Sequence, residues 1–187
     1  LAGYNLSCVG DNRTYSYIPT KYGNSISDIV ILKIFKKLKL KYKNYSFLDR
    51  GSDERQFNSP NIDLPVVTFC RSKFGDYPEY HTSQDNLNLI NKKGIRGSLN
   101  IMTRTIDTIM SEKRPMASKA CEPFLTKYNL ISTISSKTFK ISKKVLDFIQ
   151  YSDGKTTLDE IKKAIKVNSK ELKNLESILI KKGLIHY

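Results

Sequence analysis

The apolar positions in the first part of the chain follow two different periods. Residues Tyr4 to Val9 alternate and then meet a Gly-Asp-Asn turn, a pattern typical of a strand that ends there. From Ser25 to about Leu40 the apolar side chains recur at helical spacing, with Ser25 as N-cap and Asp28 in the capping-box position. Leu64 to Cys70 is a compact, β-branched run, as expected for a strand buried on both faces of a mostly parallel sheet. The order strand, helix, strand predicts an α/β fold.

A further helix is predicted after a polar stretch, because apolar residues recur at helical spacing and so share one face. We expect this face to pack on the sheet, and its members are Ile95, Leu99, Met102, Ile106 and Ile109. Pro115 and Pro123 interrupt the polar segment that follows, so the helix is expected to end before them.

The last part of the chain predicts three short amphipathic helices and a final strand. Their apolar positions are Val145, Phe148 and Ile149; Leu158, Ile161 and Ile165; and Leu172, Leu175, Ile178 and Leu179. We expect Ser169 to cap the third helix and Gly183 to end it before a short strand. This is the order of a winged helix. We therefore predict two domains, an α/β domain over residues 1–118 and a linker with a winged-helix domain over residues 119–187.

Composition narrows the class of protein. The chain is 39% hydrophobic and 27% charged, and it has no apolar run near the roughly 20 residues that a membrane span requires. The formal net charge is +14. Most of this charge is lysine, and the abundance of Lys, Asn and Ile together suggests a compositional bias. The lysine run from Lys33 to Lys43 is therefore interpreted as a solvated surface, with an anionic partner as the alternative.

The start of the chain and its cysteines bear on its cellular context. The chain opens with Leu1-Ala2-Gly3-Tyr4 and lacks the features of a secretory signal, so we interpret it as the interior of a longer protein. Cys8, Cys70 and Cys121 form no CxxC pair, which favours reduced thiols and a cytoplasmic protein.

Side chains suited to chemistry concentrate between Gly51 and Asn86. An acidic polar loop, Gly51 to Phe57, precedes the buried strand Asp63 to Cys70 and the polar run Tyr80 to Asn86. Because loops at the carboxyl ends of strands meet in a crevice, both polar segments are expected to face one site. A neutral imidazole at such a point is a good zinc ligand, and a nearby carboxylate can fix its tautomer.

These segments resemble the closing half of the co-catalytic zinc aminopeptidases, a group that includes bacterial leucyl aminopeptidases and, more distantly, glutaminyl cyclases. The residues that carry this resemblance are Gly51-Ser52-Asp53, Asn61-Ile62-Asp63-Leu64-Pro65-Val66, Tyr80-His81-Thr82 and Asp85. The chain is more closely similar to a bacterial aminopeptidase-like family with a carboxyl-terminal winged helix, several of whose members are encoded near surface-polysaccharide biosynthesis functions. That similarity is carried by Cys8-Val9-Gly10-Asp11, Phe47-Leu48-Asp49-Arg50-Gly51-Ser52-Asp53-Glu54-Arg55-Gln56 and Glu79-Tyr80-His81-Thr82-Ser83.

The resemblance implies a fold and a set of site residues. The fold is part of a mixed sheet flanked by helices. His81 matches the last metal-binding histidine, while Asp53 and Asp85 match positions that orient the site without ligating the metal. An aspartate ligand of the family is replaced here by Ser7, and Asp11 is the residue that could substitute for it. The resemblance implies one or two zinc ions, with the other ligands and the general-base glutamate placed before the start of this chain.

The expected activity is that of an aminopeptidase-like zinc hydrolase acting on a peptide or amide bond, incomplete in this segment. Asp53 and Glu54 would orient the site, and Arg55 would bind a substrate carboxylate or phosphate unless it pairs with one of those two acids. The aromatic residues expected to wall a substrate pocket, or alternatively to pack in the core, are Phe57, Tyr77 and Tyr80.

The alternative is a catalytically degenerate peptidase fold that serves as a binding or assembly module. The outer side of the third winged-helix helix is expected to carry Lys170, Lys173, Asn174, Ser177 and Lys181. Glu171 and Glu176 lie among these residues and no arginine does, which makes the helix a poor reader of DNA. We therefore expect the winged helix to make an intramolecular or dimer contact rather than a DNA contact.

Overall fold

The chain forms two compact units in the computed structural model, Leu1–Met110 and Ser111–Tyr187. The structure describes residues 1–130 and 136–187, with side chains described outside residues 131–142. The division falls earlier than the expected boundary at residues 118 and 119. Its physical reason is strand pairing, because Met116 and Ala117 pair with His186 and Ile185 near the end of the chain.

The first unit is a mixed sheet with helices, as predicted. Its elements are β1 (Gly3–Leu6), β2 (Ser16–Ile18), α1 (Ile26–Lys37), β3 (Lys43–Asn44), α2 (Glu54–Phe57), β4 (Val66–Cys70) and α3 (Lys92–Ser111). The strand order is β1-β4-β2-β3. Strands β1 and β4 are parallel, β2 runs antiparallel to β4, and β3 is parallel to β2. A short 3₁₀ turn lies at Phe47–Asp49.

Strand β4 is the buried centre of this unit. Val67, Phe69 and Cys70 have no exposed surface, as the apolar run predicted. Strand β1 is shorter than expected and ends at Leu6, because Cys8 has a φ of 49°, which breaks the extended conformation. The β1 segment therefore turns toward the site before the Gly-Asp-Asn turn begins.

Helix α1 begins with the predicted capping box. The Ser25 hydroxyl accepts a hydrogen bond from the backbone N–H of Asp28, and the Asp28 side chain accepts one from the backbone N–H of Ser25. Asp28 is fully buried and also accepts hydrogen bonds from the hydroxyls of Tyr17 and Thr20. Burial raises the pKa of Asp28, but the bonds from Ser25, Thr20 and Tyr17 outweigh it and the pKa is lowered. This carboxylate joins α1 to β2.

Helix α3 packs through a face that only partly matches the expected one, since Met102 is buried as predicted but other members of the expected face are exposed. Ile95, Leu99 and Ile106 are 49%, 64% and 53% exposed. The buried residues of the helix are Gly94, Ser98, Ile101, Met102 and Thr105. The reason is close approach, since a side chain at Gly94 would meet the backbone carbonyl oxygens of Gly10 and Asp11.

The second unit has the winged-helix order. Its elements are β5 (Met116–Ala117), α4 (Ser136–Gln150), α5 (Leu158–Ala164), α6 (Ser169–Lys181) and β6 (Ile185–His186). A 3₁₀ turn at Leu125–Tyr128 precedes α4. The N-cap of α6 is Asn168 rather than Ser169, because the Asn168 side chain accepts hydrogen bonds from the N–H groups of Lys170 and Glu171. The three helices share one core with Phe148, Ile161 and Leu179 fully buried.

Among the residues that the structure describes, none of the helices has both the length and the apolar character that crossing a bilayer demands.

Candidate functional site

The loops after β1 and β4 meet at the carboxyl ends of these two parallel strands. The backbone N–H of Ser7 donates to Phe69 O at 3.3 Å, and the N–H of Arg71 donates to Cys8 O at 3.0 Å. Ligands of open α/β sheets bind at such an edge. The polar segments predicted to form a site therefore start from a shared edge of the sheet.

Asp11 ties these two loops together. Its Oδ1 atom accepts hydrogen bonds from Arg13 N at 2.8 Å and from Ser72 Oγ at 3.0 Å, and its Oδ2 atom accepts one from Ser72 N at 2.8 Å. The side chain is buried. Asp11 was the candidate substitute ligand, and in this structure its carboxylate is engaged by protein donors from both loops.

Glu54 and Asp53 lie in opposite environments. Glu54 is fully buried and accepts hydrogen bonds from Asn5 Nδ2 at 2.8 Å, Gly51 N at 2.8 Å and Ser52 N at 3.2 Å. Burial raises the pKa of Glu54, but these backbone N–H groups and a side-chain bond outweigh it, so the pKa is lowered. Asp53 is exposed and its side chain makes no cap hydrogen bond. Of the two expected orienting residues, Glu54 is the one that holds the loop in place.

The Gly-Ser-Asp loop and the Tyr-His-Thr segment are joined through Phe74. A β-carbon at Gly51 would lie 2.7 Å from Phe74 Cε2, and the Phe74 and Tyr80 rings have centroids 6.5 Å apart. The half-buried Tyr80 ring in turn stacks on the His81 imidazole at 4.0 Å. His81 is exposed and has a φ of 57°. Its ring is thus carried on an aromatic support at the surface and not among aliphatic side chains.

Asp85 contacts Tyr77 and not the imidazole of His81. The Tyr77 hydroxyl lies 3.2 Å from Asp85 Oδ2 and 3.4 Å from Cys8 Sγ. Burial raises the pKa of Tyr77, and Cys8 and Asp85 raise it further. Neither Asp53 nor Asp85 hydrogen-bonds to His81 within the described residues. Tyr77 was expected only as a pocket wall or a core residue, and Cys8, which lies in the Cys-Val-Gly-Asp motif, was given no role of its own.

A second pair that the sequence did not predict joins the loop after β1 to the segment before His81. Arg13 Nη1 and Nη2 donate to the two Glu79 carboxylate oxygens at 2.8 and 2.6 Å. The hydrogen bond from Arg13 lowers the pKa of Glu79 to about 2. Two parallel hydrogen bonds fix the orientation of the Arg13 guanidinium relative to the Glu79 carboxylate as well as the distance between them.

Arg55 lies at a separate cavity. It lines a space of about 500 Å³ together with Leu48, Arg50 and Gln56. Arg55 is exposed, and within the described residues it forms no ion pair with Asp53 or Glu54. Phe57, an expected pocket wall, is 43% exposed.

The fit to a metal is partial. The His81 imidazole is exposed and makes no hydrogen bond within the described residues, so its nitrogens suit a ligand role. Over the described ranges, however, no group of three or more His, Cys, Asp or Glu side chains could hold a metal ion. A zinc centre in a protein takes at least three such ligands, so the residues that the structure describes do not complete one by themselves.

Two family models match the chain. Residues 1–112 match the Domain of unknown function (DUF4910), and residues 114–187 match the winged helix-turn-helix. A relative from Clostridium acetobutylicum, named "Putative polysaccharide biosynthesis protein with aminopeptidase-like domain", is 36% identical over 163 residues, which is 85% of this chain. The predicted resemblance to aminopeptidase-like proteins with a winged helix is confirmed.

A crystal structure of a "putative peptidase" from Clostridium acetobutylicum is also similar. It aligns with a TM-score of 0.60 and 31% identity over 99% of this chain. The chain spans 37% of the length of the relative and 41% of the crystallised chain. The chain therefore belongs to the family of the Domain of unknown function (DUF4910), joined to a winged helix-turn-helix and similar to aminopeptidase-like proteins.

Proposed function

We propose that this chain supplies part of an aminopeptidase-like, zinc-dependent hydrolase that cleaves a peptide or amide bond in a cytoplasmic pathway of polysaccharide biosynthesis. The observation that supports the proposal best is the placement of His81. Its exposed imidazole stacks at 4.0 Å on Tyr80, in the segment that packs beside the carboxyl ends of β1 and β4. The similarity to the relative and the crystallised chain supports the same reaction class.

In this proposal His81 contributes one ligand to a site of one or two zinc ions. The other ligands come from the part of the relatives' length that this chain does not span. Bound zinc would polarise the substrate carbonyl and lower the pKa of a bound water. Tyr80 holds the imidazole by stacking against one of its faces.

The remaining residues position the site and the substrate. Glu54 fixes the Gly-Ser-Asp loop through Asn5, and Asp11 fixes the two strand-end loops. Asp85 orients Tyr77 through a hydrogen bond. Arg55 faces a cavity and can pair a substrate carboxylate or phosphate in the two-pronged geometry of a guanidinium.

The test compares the two histidines of the chain. We expect His81→Ala in the full-length protein to lose bound zinc and to lose release of amino acids from short peptides. His186→Ala is the matched control, because His186 lies in β6 and its Nδ1 is 3.2 Å from Ser118 Oγ, within the second unit. Zinc and activity retained in His81→Ala at the level of His186→Ala would refute the assignment of His81.

A second candidate function, a binding module for an anionic macromolecule, is favoured by the outer face of α6. Glu171 is 3.0 Å from Lys144 and Glu176 is 3.1 Å from Lys113, so both acids are neutralised within the unit. The exposed residues left on this face include Lys170, Lys173, Asn174, Ser177 and Lys181. This face is therefore more basic than the sequence order alone indicated.

Duplex DNA binding at two salt concentrations tests the second candidate. We expect Lys170→Ala with Lys173→Ala to weaken binding and to reduce its salt dependence, since each lysine would release counterions from phosphates. Lys143→Ala with Lys162→Ala is the matched control, because these lysines pair with Asp147 and Asp159, which lie outside α6. No binding at low salt would leave an intramolecular or dimer contact as the role of the winged helix.

A further inference from the structure

We propose that a polar cavity beside the candidate site binds a saccharide that carries an amide group. The cavity has a volume of about 530 Å³, which lies in the range of small-molecule pockets. Five side-chain amides line it, and we call it the amide pocket; they belong to Asn12, Gln84, Asn86, Asn88 and Asn91. The inference rests on the proposed function in one respect, namely that the pocket and His81 serve the same substrate.

The lining chemistry matches a hydroxyl-rich ligand. A carboxamide offers an acceptor oxygen and two N–H donors on one rigid group. Sugar hydroxyls both donate and accept, so neighbouring hydroxyls can be held by one carboxamide at each of several positions. A concentration of such groups around one cavity therefore suits a polyhydroxylated ligand.

Four of these amides have hydrogen-bonding capacity that the protein leaves unused, whereas Asn86 donates from Nδ2 to Ser83 O at 3.2 Å and accepts at Oδ1 from Asn88 N at 2.9 Å. The side-chain amides of Gln84 and Asn88 make no hydrogen bond within the described residues. Asn12 Oδ1 accepts from Arg71 Nη2 at 3.1 Å and Asn91 Oδ1 accepts from Gly94 N at 2.8 Å. Those two bonds fix the orientation of both side chains. The NH₂ groups of Asn12 and Asn91 make no hydrogen bond within the described residues, so they can donate to a ligand.

The charged groups at the pocket rim are already engaged by the protein. Arg13 and Glu79 pair with each other through two hydrogen bonds. The carboxylate of Asp11 is engaged by Arg13 N and by Ser72. No unpaired cation lines the pocket to hold a phosphate, and Leu89 is the one apolar side chain among the described residues that line it. The Asp11 carboxylate and the lack of a free cation disfavour an anion, and the side-chain amides suit an uncharged polar ligand.

The walls of the pocket are fixed in advance. The N–H of Asn91 donates to Gly10 O at 3.0 Å, and Gly94 approaches the backbone of Gly10 and Asp11 so closely that a β-carbon would not fit. Arg13 and Glu79 also line the pocket, and their ion pair holds both side chains in place. A preformed wall reduces the ordering cost of binding, which matters for a weakly held sugar.

The pocket adjoins the candidate site along the chain. Glu79 comes two residues before His81, and Gln84 comes directly before Asp85. In the proposed function, the site at His81 cleaves an amide bond and the neighbouring amide pocket binds hydroxyl groups. A substrate that meets both conditions is a saccharide bearing an amide, such as an N-acylated amino sugar.

Calorimetric titration of the full-length protein with N,N′-diacetylchitobiose, cellobiose and inorganic phosphate tests the inference. We expect the first disaccharide to bind and phosphate not to bind. Gln84→Ala with Asn88→Ala should weaken sugar binding by about tenfold or more, because two hydrogen-bonding groups are lost without disturbing an internal bond. Asn24→Ala with Gln150→Ala is the matched control, since it removes one exposed asparagine and one exposed glutamine elsewhere.

Three results would overturn the inference: no binding of either disaccharide at millimolar concentration, equal binding by both double variants, or binding of phosphate instead. If the Gln84 and Asn88 variant does not fold, the side-chain amide NMR signals of these residues in the unmodified protein decide, since they must shift on titration with the sugar. Binding is also measured in His81→Ala. If His81→Ala still binds the sugar but no longer hydrolyses its substrate, both the proposed function and the saccharide pocket are supported. If the unmodified protein hydrolyses peptides but binds no sugar, the saccharide pocket alone is refuted.

Discussion

Asn5 on β1 donates a hydrogen bond of 2.8 Å to the fully buried carboxylate of Glu54 at the start of α2. The same carboxylate accepts hydrogen bonds from the backbone N–H groups of Gly51 and Ser52. One buried charge thus holds the Gly-Ser-Asp loop against the sheet. An anion without these donors would be costly to bury, so the loop conformation and the charge depend on each other.

We expect Glu54→Gln to reduce the free energy of unfolding by about 1.5–3 kcal/mol, because an amide cannot accept from all three N–H groups. Asp53→Asn is the control at the adjacent, exposed position and should change the free energy of unfolding by less than about 0.5 kcal/mol. Urea denaturation followed by circular dichroism measures both. Equal stability of the two variants would show that the Glu54 bonds do not hold the loop.

Acid should weaken the first unit through Glu54 and Asp28. Burial raises both pKa values but hydrogen bonds lower them more, so both folded-state pKa values lie below the ordinary values of 4.5 and 3.8. A lowered pKa contributes stability above the unfolded-state pKa, and that contribution is lost as pH falls through the folded-state pKa. The stability difference between the unmodified protein and Glu54→Gln should therefore stay constant from about pH 7 to about pH 5 and shrink as the pH falls further. Urea denaturation from about pH 7 to about pH 3 measures it, and a difference that does not shrink below about pH 5 would contradict the assigned shift.

Gly94→Ala should destabilise the protein although it lies in a helix. In an open helix this change gains up to about 1 kcal/mol. Here the added β-carbon meets the carbonyl oxygens of Gly10 and Asp11, which are backbone atoms and cannot rotate away. We expect a loss of about 1–3 kcal/mol in the free energy of unfolding. Lys93→Ala, at the exposed preceding position, is the control, and a stabilised Gly94→Ala would show that the backbones are not in close contact.

Thr157 should control the stability of α5. Its hydroxyl accepts from the N–H of Glu160, whose side chain accepts from the N–H of Thr157 in return. Thr157→Ala should lower the free energy of local opening of α5 by about 1 kcal/mol, and Thr157→Ser should retain most of it. Amide hydrogen exchange of the α5 residues measures this free energy. Faster exchange in Thr157→Ser than in Thr157→Ala would exclude the capping role.

Features that depend on neighbouring residues could be predicted from the sequence. The capping box of Ser25 and Asp28 is formed as expected, because its donors and acceptors lie three residues apart. The run at β4 is a buried strand, because five successive apolar or β-branched residues have few other stable environments. The winged-helix order followed from the spacing of its apolar positions in the same way.

Close approach between distant segments could not be predicted. The buried side of α3 carries Gly94 and Ser98, and Ser98 Oγ donates to Val9 O at 2.8 Å. Apolar spacing favoured the side with Leu99, which is 64% exposed. Small residues occupy the buried face because α3 lies directly against the backbone of residues 9–11. The hydropathy of a sequence does not indicate how closely a helix approaches another backbone segment.

Local spacing and sequence motifs predicted the α1 capping box, the buried strand β4, the winged-helix order and the family. Which acids are buried, which carboxylate contacts Tyr77 and which amides line a pocket became clear from the folded chain alone. Those outcomes depend on distances between atoms far apart in the chain. Burial and hydrogen bonding determine whether a side chain is charged and whether it is available to a ligand. Neither the burial nor the hydrogen-bond partner of a side chain can be deduced from its position in the sequence alone.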